Sequence, residues 1–371
     1  MASVDRRPNG RYRARWREYP KGPQRTQHFD RKIDAERFLV RIQHDLLSGS
    51  YIDPRQAMTP LKDYAEVWLE RMRPTWRATT AVTVENSIRR HVLPRLGGRQ
   101  IAAIKRSDVE AWAAALELSP ATVATVRQHL GQLLTGAVED GLIAKSPAAG
   151  AKMPKNETDR PQPVPANVIA AITAGLPRWA RAAVPLALGA GLRHGEVTGL
   201  TLDRVQFLRR SLRVDRQLVT MKSAAPVLGP TKTSSSNRTI PLAQFVADAV
   251  SAHIAEHGQG QHGLILHLPG GEPIGRNRFG RLWRAARESA GAEQVDFHDL
   301  RHTFASTLLS EGVSIRAVSE WMGHASPTVT LNTYAHMMPV DDDRARLVLD
   351  AALAPGATTS DEDASRKGLL G

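Results

Sequence analysis

A multidomain chain, mainly α-helical with small β-sheets, is what this sequence predicts, and three observations carry the prediction. Two stretches rich in Pro, Gly, Ser and polar residues, 48–60 and 150–165, cut the 371 residues into three pieces. Strand-like alternation is confined to short stretches, while apolar residues at three- and four-residue intervals recur over most of 60–150 and from 276 onward. The expected architecture is a small β-sheet plus helix over 1–55, a four-helix domain over 60–150 and a mixed α/β domain over 160–353. The small, polar tail at 354–371 is expected to be disordered.

In the first piece, residues 11–17 alternate strictly. Arg11, Arg13, Arg15 and Arg17 fall on one side, with Tyr12, Ala14 and Trp16 on the other, which is a strand with one cationic and one apolar face. Pro20-Lys21-Gly22-Pro23 is a turn signal, a second strand is expected near 24–29, and residues 33–47 have helical spacing. Four arginines on a small sheet can enter a DNA groove. They also suit a solvated edge strand that discourages aggregation.

The second piece reads as four helices. Thr59-Pro60 opens one with Tyr64, Val67, Trp68 and Met72 on one face, Pro being well placed in a first turn. Residues 78–92 form another, ending near Pro94 and Gly97-Gly98. Ser107 with Glu110 reads as a capping box, and Ser119-Pro120 opens a long helix to about Val138, closed around Gly141. Arg89, Arg90, Arg95, Arg99, Lys105 and Arg106 are candidate phosphate contacts or a solvated face.

In the third piece, 164–174 and 178–190 read as helices and 211–220 and 238–242 as strands, with a loose hairpin built on the turn-forming residues 229–237. From 276 the pattern is helical, interrupted at Gly291, Gly312 and Gly323.

Charge and composition limit the function. The net charge of +13 points to a polyanion, most often nucleic acid, and its density is highest in 1–55, with 13 Lys and Arg against 7 Asp and Glu. Zero Cys excludes disulfides, thiol nucleophiles and Cys-based metal sites. Neither a signal-like start nor a run of about 18 apolar residues is present, so the expected location is the cytoplasm, at the nucleoid, with no membrane partner.

The chemistry concentrates in a few short stretches. In 296–305, His298 and Arg301 stand three apart, so a helix puts a proton-exchanging imidazole and a planar guanidinium fork on one face. In 191–197, Arg193 precedes Glu196 by three, and the carboxylate can hold the guanidinium in place. Lys232 lies at an expected hairpin tip, His324 follows a helix-ending Gly, and Tyr334 ends a short helix opened by Ser326-Pro327. Singly, each has an ordinary structural explanation. His253, Glu256 and His257 match an H-x-x-E-H zinc pattern, but no third ligand is evident and a solvated helix end accounts for them.

Taken in order, Arg193, Lys232, His298, Arg301, His324 and Tyr334 resemble the active-site set of the tyrosine recombinases, the phage integrase family. GLRHGEVTGL, TKTSSSNRTIPL, HDLRHTFAS and WMGHASPTVTLNTYAH look like that family's boxes in order and spacing. The resemblance extends over roughly 60–345. It implies a core-binding helical domain, a catalytic domain and, more loosely, an arm-binding domain at the N-terminus. It further implies a site-specific recombinase that integrates or excises a mobile element. Tyr334 would be the nucleophile forming a 3′-phosphotyrosine, Lys232 the general acid, His298 the acid/base partner of Tyr334, and His324 a donor to the phosphoryl group. Arg193 and Arg301 would lie on the non-bridging oxygens, with Glu196 in support. Double-stranded DNA is the implied partner, read at core sites by residues such as Arg89 and Arg90 and at arm sites by Arg11, Arg13, Arg15 and Arg17. A synaptic homotetramer, with DNA-bending and directionality factors, completes the set, with no cofactor and no metal. A topoisomerase-like nicking enzyme and a catalytically inactive DNA-binding protein are the alternatives. The separate basic N-terminus counts against the first, and the intact six positions against the second.

Overall fold

The computed structural model describes residues 2–19, 22–47, 51, 57–152, 161–220, 225–231, 233–338 and 342–353. Lys232, most of the first linker and the tail at 354–371 lie outside the described residues. Two compact units divide the chain, Met1–Thr158 and Asp159–Gly371.

The first unit begins with an antiparallel sheet of β1 (Ser3–Arg6), β2 (Tyr12–Arg17) and β3 (Gln24–Phe29), covered by α1 (Lys32–Leu47). The period-two pattern of β2 works as expected on its apolar side, where Ala14 and Trp16 pack on Ala35, Leu39 and Ile42. The cationic side acquires partners from neighbouring segments. β1, not foreseen from the sequence, pairs Asp5 with Arg13 across the sheet. Asp5 then takes Arg13 at 2.8 Å and Arg15 at 3.1 Å, Arg11 reaches Asp30 at 2.9 Å, and Arg17 donates to the Gly22 carbonyl at 2.6 Å. All four arginines carry a partner from their own sheet or its loops.

The same unit holds a helical core of its own. In α2 (Leu61–Met72) the buried face is Leu61, Tyr64, Ala65, Trp68 and Leu69; Val67, expected inside, is exposed, because the buried stripe falls on 61, 64–65 and 68–69 and leaves Glu66 and Val67 on the outer face. α3 (Ala78–Ser87) widens into a π turn at Ile88–Val92, where the Leu93 N–H reaches the Ile88 carbonyl, and runs on past Pro94 through Leu93–Leu96 to end at Gly97. The wide turn relieves the clash of Pro94's ring with the preceding turn. α4 (Arg106–Ala114) starts earlier than Ser107: Asp108 accepts the Lys105 N–H at 2.9 Å, and Glu110 accepts that of Lys152 at 2.8 Å. α5 (Pro120–Glu139) has the expected cap, Ser119 Oγ accepting the Thr122 N–H at 3.4 Å. The fully buried Trp112 donates to the His91 carbonyl at 2.7 Å, joining α4 to the π turn.

The second unit opens with α6 (Ala166–Gly175), α7 (Ala183–Ala190) and the short α8 (His194–Thr198). The strand expected over 211–220 breaks at Asp215, whose carboxylate is pinned by Arg204 at 2.9 Å and Arg216 at 3.1 Å. β4 (Val205–Gln206) and β5 (Ser211–Val214) therefore form one sheet with β8 (Arg238–Pro241), while β6 (Arg216–Val219) pairs with β7 (Val227–Pro230). α9 (Gln244–His257), α10 (Arg276–Ser289) and α11 (Phe297–Ser310) follow, then α12 (Ile315–Met322), α13 (Pro327–Tyr334) and α14 (Asp342–Leu353). α7 packs along α11 within a continuous apolar core that includes Leu186, Ile240, Phe279 and Leu300. Among the described residues no helix is long and apolar enough to cross a membrane.

Candidate active site

Two left-handed glycines place the arginines. Gly191 ends α7 at φ +58°, and a Cβ there would lie 2.5 Å from the Phe304 ring, so only glycine lets the chain turn so close to α11. The turn puts Arg193 at the start of α8, where Glu196 accepts both its backbone N–H at 2.9 Å and its guanidinium at 3.1 Å. Gly323, at φ +61°, ends α12 the same way, with the His324 N–H returning to the Ser319 carbonyl.

The three last carbonyls of that turn each accept from a different arginine. Trp321 O takes Arg238 Nε, Met322 O takes Arg301 Nη2, and Gly323 O takes Arg193 Nη2 at 3.0 Å. A helix C-terminus carries partial negative charge, so this is where guanidinium groups are held without a carboxylate for each. Glu196, 4% exposed, is bidentate to Arg238 at 2.8 and 3.0 Å while also holding Arg193. Burial pushes its carboxyl up, but Arg238, and then Arg193, outweigh it and keep it below its ordinary value. Arg301, 1% exposed, also donates to the Gly191 carbonyl. Burial first, then the charges of Arg193 and Arg238, push its pKa down to about 9, which leaves it cationic at neutral pH. Arg193 and Arg238 thus share one carboxylate while Arg301 is held by carbonyls alone, leaving among the described residues a surplus positive charge of about two, a site that favours an incoming anion.

The imidazoles around this cluster are neutral. His298 and His324 are each pushed down to about 4, by burial first; the next causes are His302 and Arg301 for His298, and Arg301 and Arg193 for His324. His324 Nδ1 is bonded to Thr330 Oγ1 at 2.8 Å. Tyr334, at the end of α13, is 1% exposed, and burial raises its pKa to about 12.

The expectation that His298 faces Tyr334 is not met. The Tyr334 hydroxyl is hydrogen-bonded to Nδ1 of His302, and the ring of His298 stands edge-on to His302, with centroids 4.7 Å apart. One helical turn separates the two histidines, so the residue nearer the middle of α11 meets α13. His302 and Arg238 are the site residues that sequence reasoning passed over. Both were in plain view, His302 beside Arg301 and Arg238 inside TKTSSSNRTIPL, but nothing in their spacing separated them from ordinary polar positions.

A third omission is the basic face of α10. Phe279, Trp283 and Ala286 are buried, while Arg276, Arg278, Arg281 and Arg284 are exposed, and the helix walls an open cavity of about 650 Å³ that reaches His194 and His298. Of the two expected contacts in the first unit, Arg89 is tied to Glu66 at 2.6 and 2.8 Å and to Glu85 at 3.0 Å. Arg90 has no ion pair among the described residues and lines a shallow pocket with Thr83, Asn86 and Thr122. His253 Nε2 is bonded to the Ile265 carbonyl at 2.9 Å and Glu256 pairs with Arg178 at 3.0 Å, so each has a structural partner.

A buried tyrosine hydroxyl beside guanidinium groups in excess of their carboxylate makes a site suited to phosphoryl transfer. Comparison with known proteins gives the family. The model described as "Phage integrase family" matches residues 164–339, and that described as "Phage integrase central domain" matches 61–153. A relative named tyrosine recombinase XerC-like, from Caldanaerobacter subterraneus subsp. tengcongensis, is 26% identical over 75% of this chain and 80% of its own length. The Tn1549 transposon integrase, solved in complex with transposon right end DNA, is 25% identical with a TM-score of 0.67, over 79% of this chain and all of that one. A lambda integrase tetramer bound to a Holliday junction shares the fold at 19% identity and TM-score 0.57, over 88% of this chain and 96% of that one. The chain belongs to the phage integrase family of tyrosine recombinases, enzymes that cut and rejoin DNA.

Proposed function

We propose that this protein is a site-specific DNA recombinase that integrates and excises a mobile element through a 3′-phosphotyrosine intermediate. The observation that carries the reading is the placement of Arg193, Arg238 and Arg301 on three successive carbonyls of one turn, around a single carboxylate, beside the buried Tyr334 hydroxyl.

In the proposed reaction the Tyr334 oxygen attacks a backbone phosphorus of DNA. Charge grows on the two non-bridging oxygens in the five-coordinate transition state, where Arg193 and Arg301 stabilise it. Neutral His298 and His324 donate hydrogen bonds to the same oxygens without adding repulsion to the arginines. The bond to the 5′-oxygen breaks, Lys232 supplies that oxygen's proton, and a free 5′-hydroxyl remains. The tyrosyl ester conserves the phosphodiester's energy, so a 5′-hydroxyl from the same or another strand reverses the step without ATP.

Double-stranded DNA is held, in this reading, by the exposed arginines of α10 and by Arg90 in the helical domain. The sheet bearing Arg11, Arg13, Arg15 and Arg17 takes separate arm sites by exchanging its surface carboxylate partners for phosphates. The domain division is 1–55, 60–150 and 160–353, and four copies synapse two DNA sites. The test is covalent trapping on a nicked suicide substrate: the native chain forms a DNA adduct, and Tyr334→Phe binds the same DNA and forms none. An adduct with the Phe variant overturns the assignment of the nucleophile.

A further inference from the structure

We propose that His302 is the catalytic base of this site: its Nδ1 receives the Tyr334 hydroxyl proton as the tyrosine attacks DNA and returns it when the strand is rejoined. This rests on the recombinase reading above and reassigns one of its roles. His302 is the side chain hydrogen-bonded to the reacting oxygen, through Nδ1. The two elements that carry the pair, α11 and α13, pack against one another, and Phe304, Leu309 and Tyr334 belong to one apolar cluster, so the contact is set by the core.

The proton balance follows from the geometry. Tyr334 Oη–H donates to Nδ1, so the proton of neutral His302 resides on Nε2. As the Oη–P bond forms, the Oη–H bond breaks and the proton passes to Nδ1, giving an imidazolium. The P–O5′ bond breaks with its electron pair on O5′, protonated by Lys232. The groups that face His302 are Asp299, Arg301 and His298 on its own helix, His324 after α12 and Tyr334 on α13. Burial holds His302 below the ordinary histidine range, with Asp299 opposing and Arg301 adding to it, so the base is unprotonated and ready at neutral pH. The Tyr334 hydroxyl, raised to about 12, does not ionise unaided there. His298 is then left to the phosphoryl oxygens.

His302→Asn separates holding from proton transfer, since its side-chain oxygen accepts a hydrogen bond but takes no proton. His302→Gln is the second variant in case Asn perturbs packing, and DNA binding and thermal unfolding report the fold of both. Adduct formation is followed in single turnover on a suicide substrate and on its 5′-bridging phosphorothiolate analogue, whose thiolate leaves without an acid. Proton acceptance by a positioned base contributes roughly 10²–10⁴-fold. The expected result is a loss of about 100-fold or more on both substrates with DNA affinity kept. The variant's rate should keep rising with pH into the alkaline range, and added imidazole should restore part of the activity to His302→Gly. An unchanged rate overturns the proposal. So does a faster one, which makes the contact a latch on the tyrosine, and so does a loss that the phosphorothiolate removes. Absence of any adduct with the native chain overturns the recombinase reading instead.

Discussion

The arginines of the two units obey different rules. In β2, half-buried Arg13 and Arg15 share Asp5, and just before the strand the exposed Arg11 takes Asp30. In the second unit Arg193, Arg238 and Arg301 share Glu196 and three backbone carbonyls, with Arg238 and Arg301 buried. Water screens the first set, so its pairs are weak and exchangeable for phosphate. Arg238 and Arg301 have no water to fall back on, and the surplus charge they share with the half-exposed Arg193 is held in place by the fold. A count of basic residues points to a polyanionic partner, while burial and the supply of partners separate arginines that can exchange one anion for another from arginines fixed by the fold.

The comparison can be broken most sharply at Arg301. Arg301→Gln removes a donor from the developing charge, and adduct formation on a suicide substrate should fall about 10²–10³-fold; a loss under tenfold would mean the buried set is structural only. Arg238→Gln comes next. It leaves Glu196 as a buried carboxylate short of its main partner, and urea unfolding should show a loss of about 3–5 kcal/mol, whereas Arg13→Gln should leave the urea midpoint unchanged. Equal effects of these two would erase the distinction between the regions. Replacing Arg11, Arg13, Arg15 and Arg17 together by Ala should weaken binding to accessory sites more than cleavage at the crossover site. Its signature is a shallower salt dependence, by about 0.9 in the log–log slope for each phosphate that is no longer neutralised. An equal loss at both sites would deny the sheet a separate role.

Stability against pH tests the burial of the second unit's site as a whole. His194, His298 and His324 are pushed down to about 4, in each case by burial first. An unfolded histidine takes up its proton near 6.5, so between pH 6.5 and 4 the unfolded chain binds more protons than the folded one. Stability present above pH 6.5 is therefore lost as the pH falls toward 4. The urea midpoint should be flat above pH 6.5 and decline below it, less steeply in His324→Asn. A midpoint that stays level down to pH 5 would mean that these imidazoles are solvated.

Much of this was legible in the sequence, for reasons that differ by residue. The alternation at 11–17, the Ser119 cap and the glycines at 191 and 323 are local signals, and local physics produced the elements expected of them. The six catalytic candidates were found by order and spacing, and five of them lie in the described structure, with Lys232 outside it. What was missed depends on partners distant in the chain. Asp5 neutralises Arg13 and Arg15 only once β1 pairs with β2. Arg238 reaches Glu196 across 42 positions, and His302 reaches Tyr334 across 32. The π turn before Pro94 follows from packing that no periodicity records.

A recombinase of this kind joins one of its tyrosines covalently to DNA, and the trapped adduct can be mapped. After cleavage of a suicide substrate, proteolysis and mass spectrometry of the DNA-linked peptide should place the bond on Tyr334, attached to a 3′-phosphate, with a free 5′-hydroxyl on the released strand. A bond to any other residue, or a linkage to the 5′ end, would contradict the account.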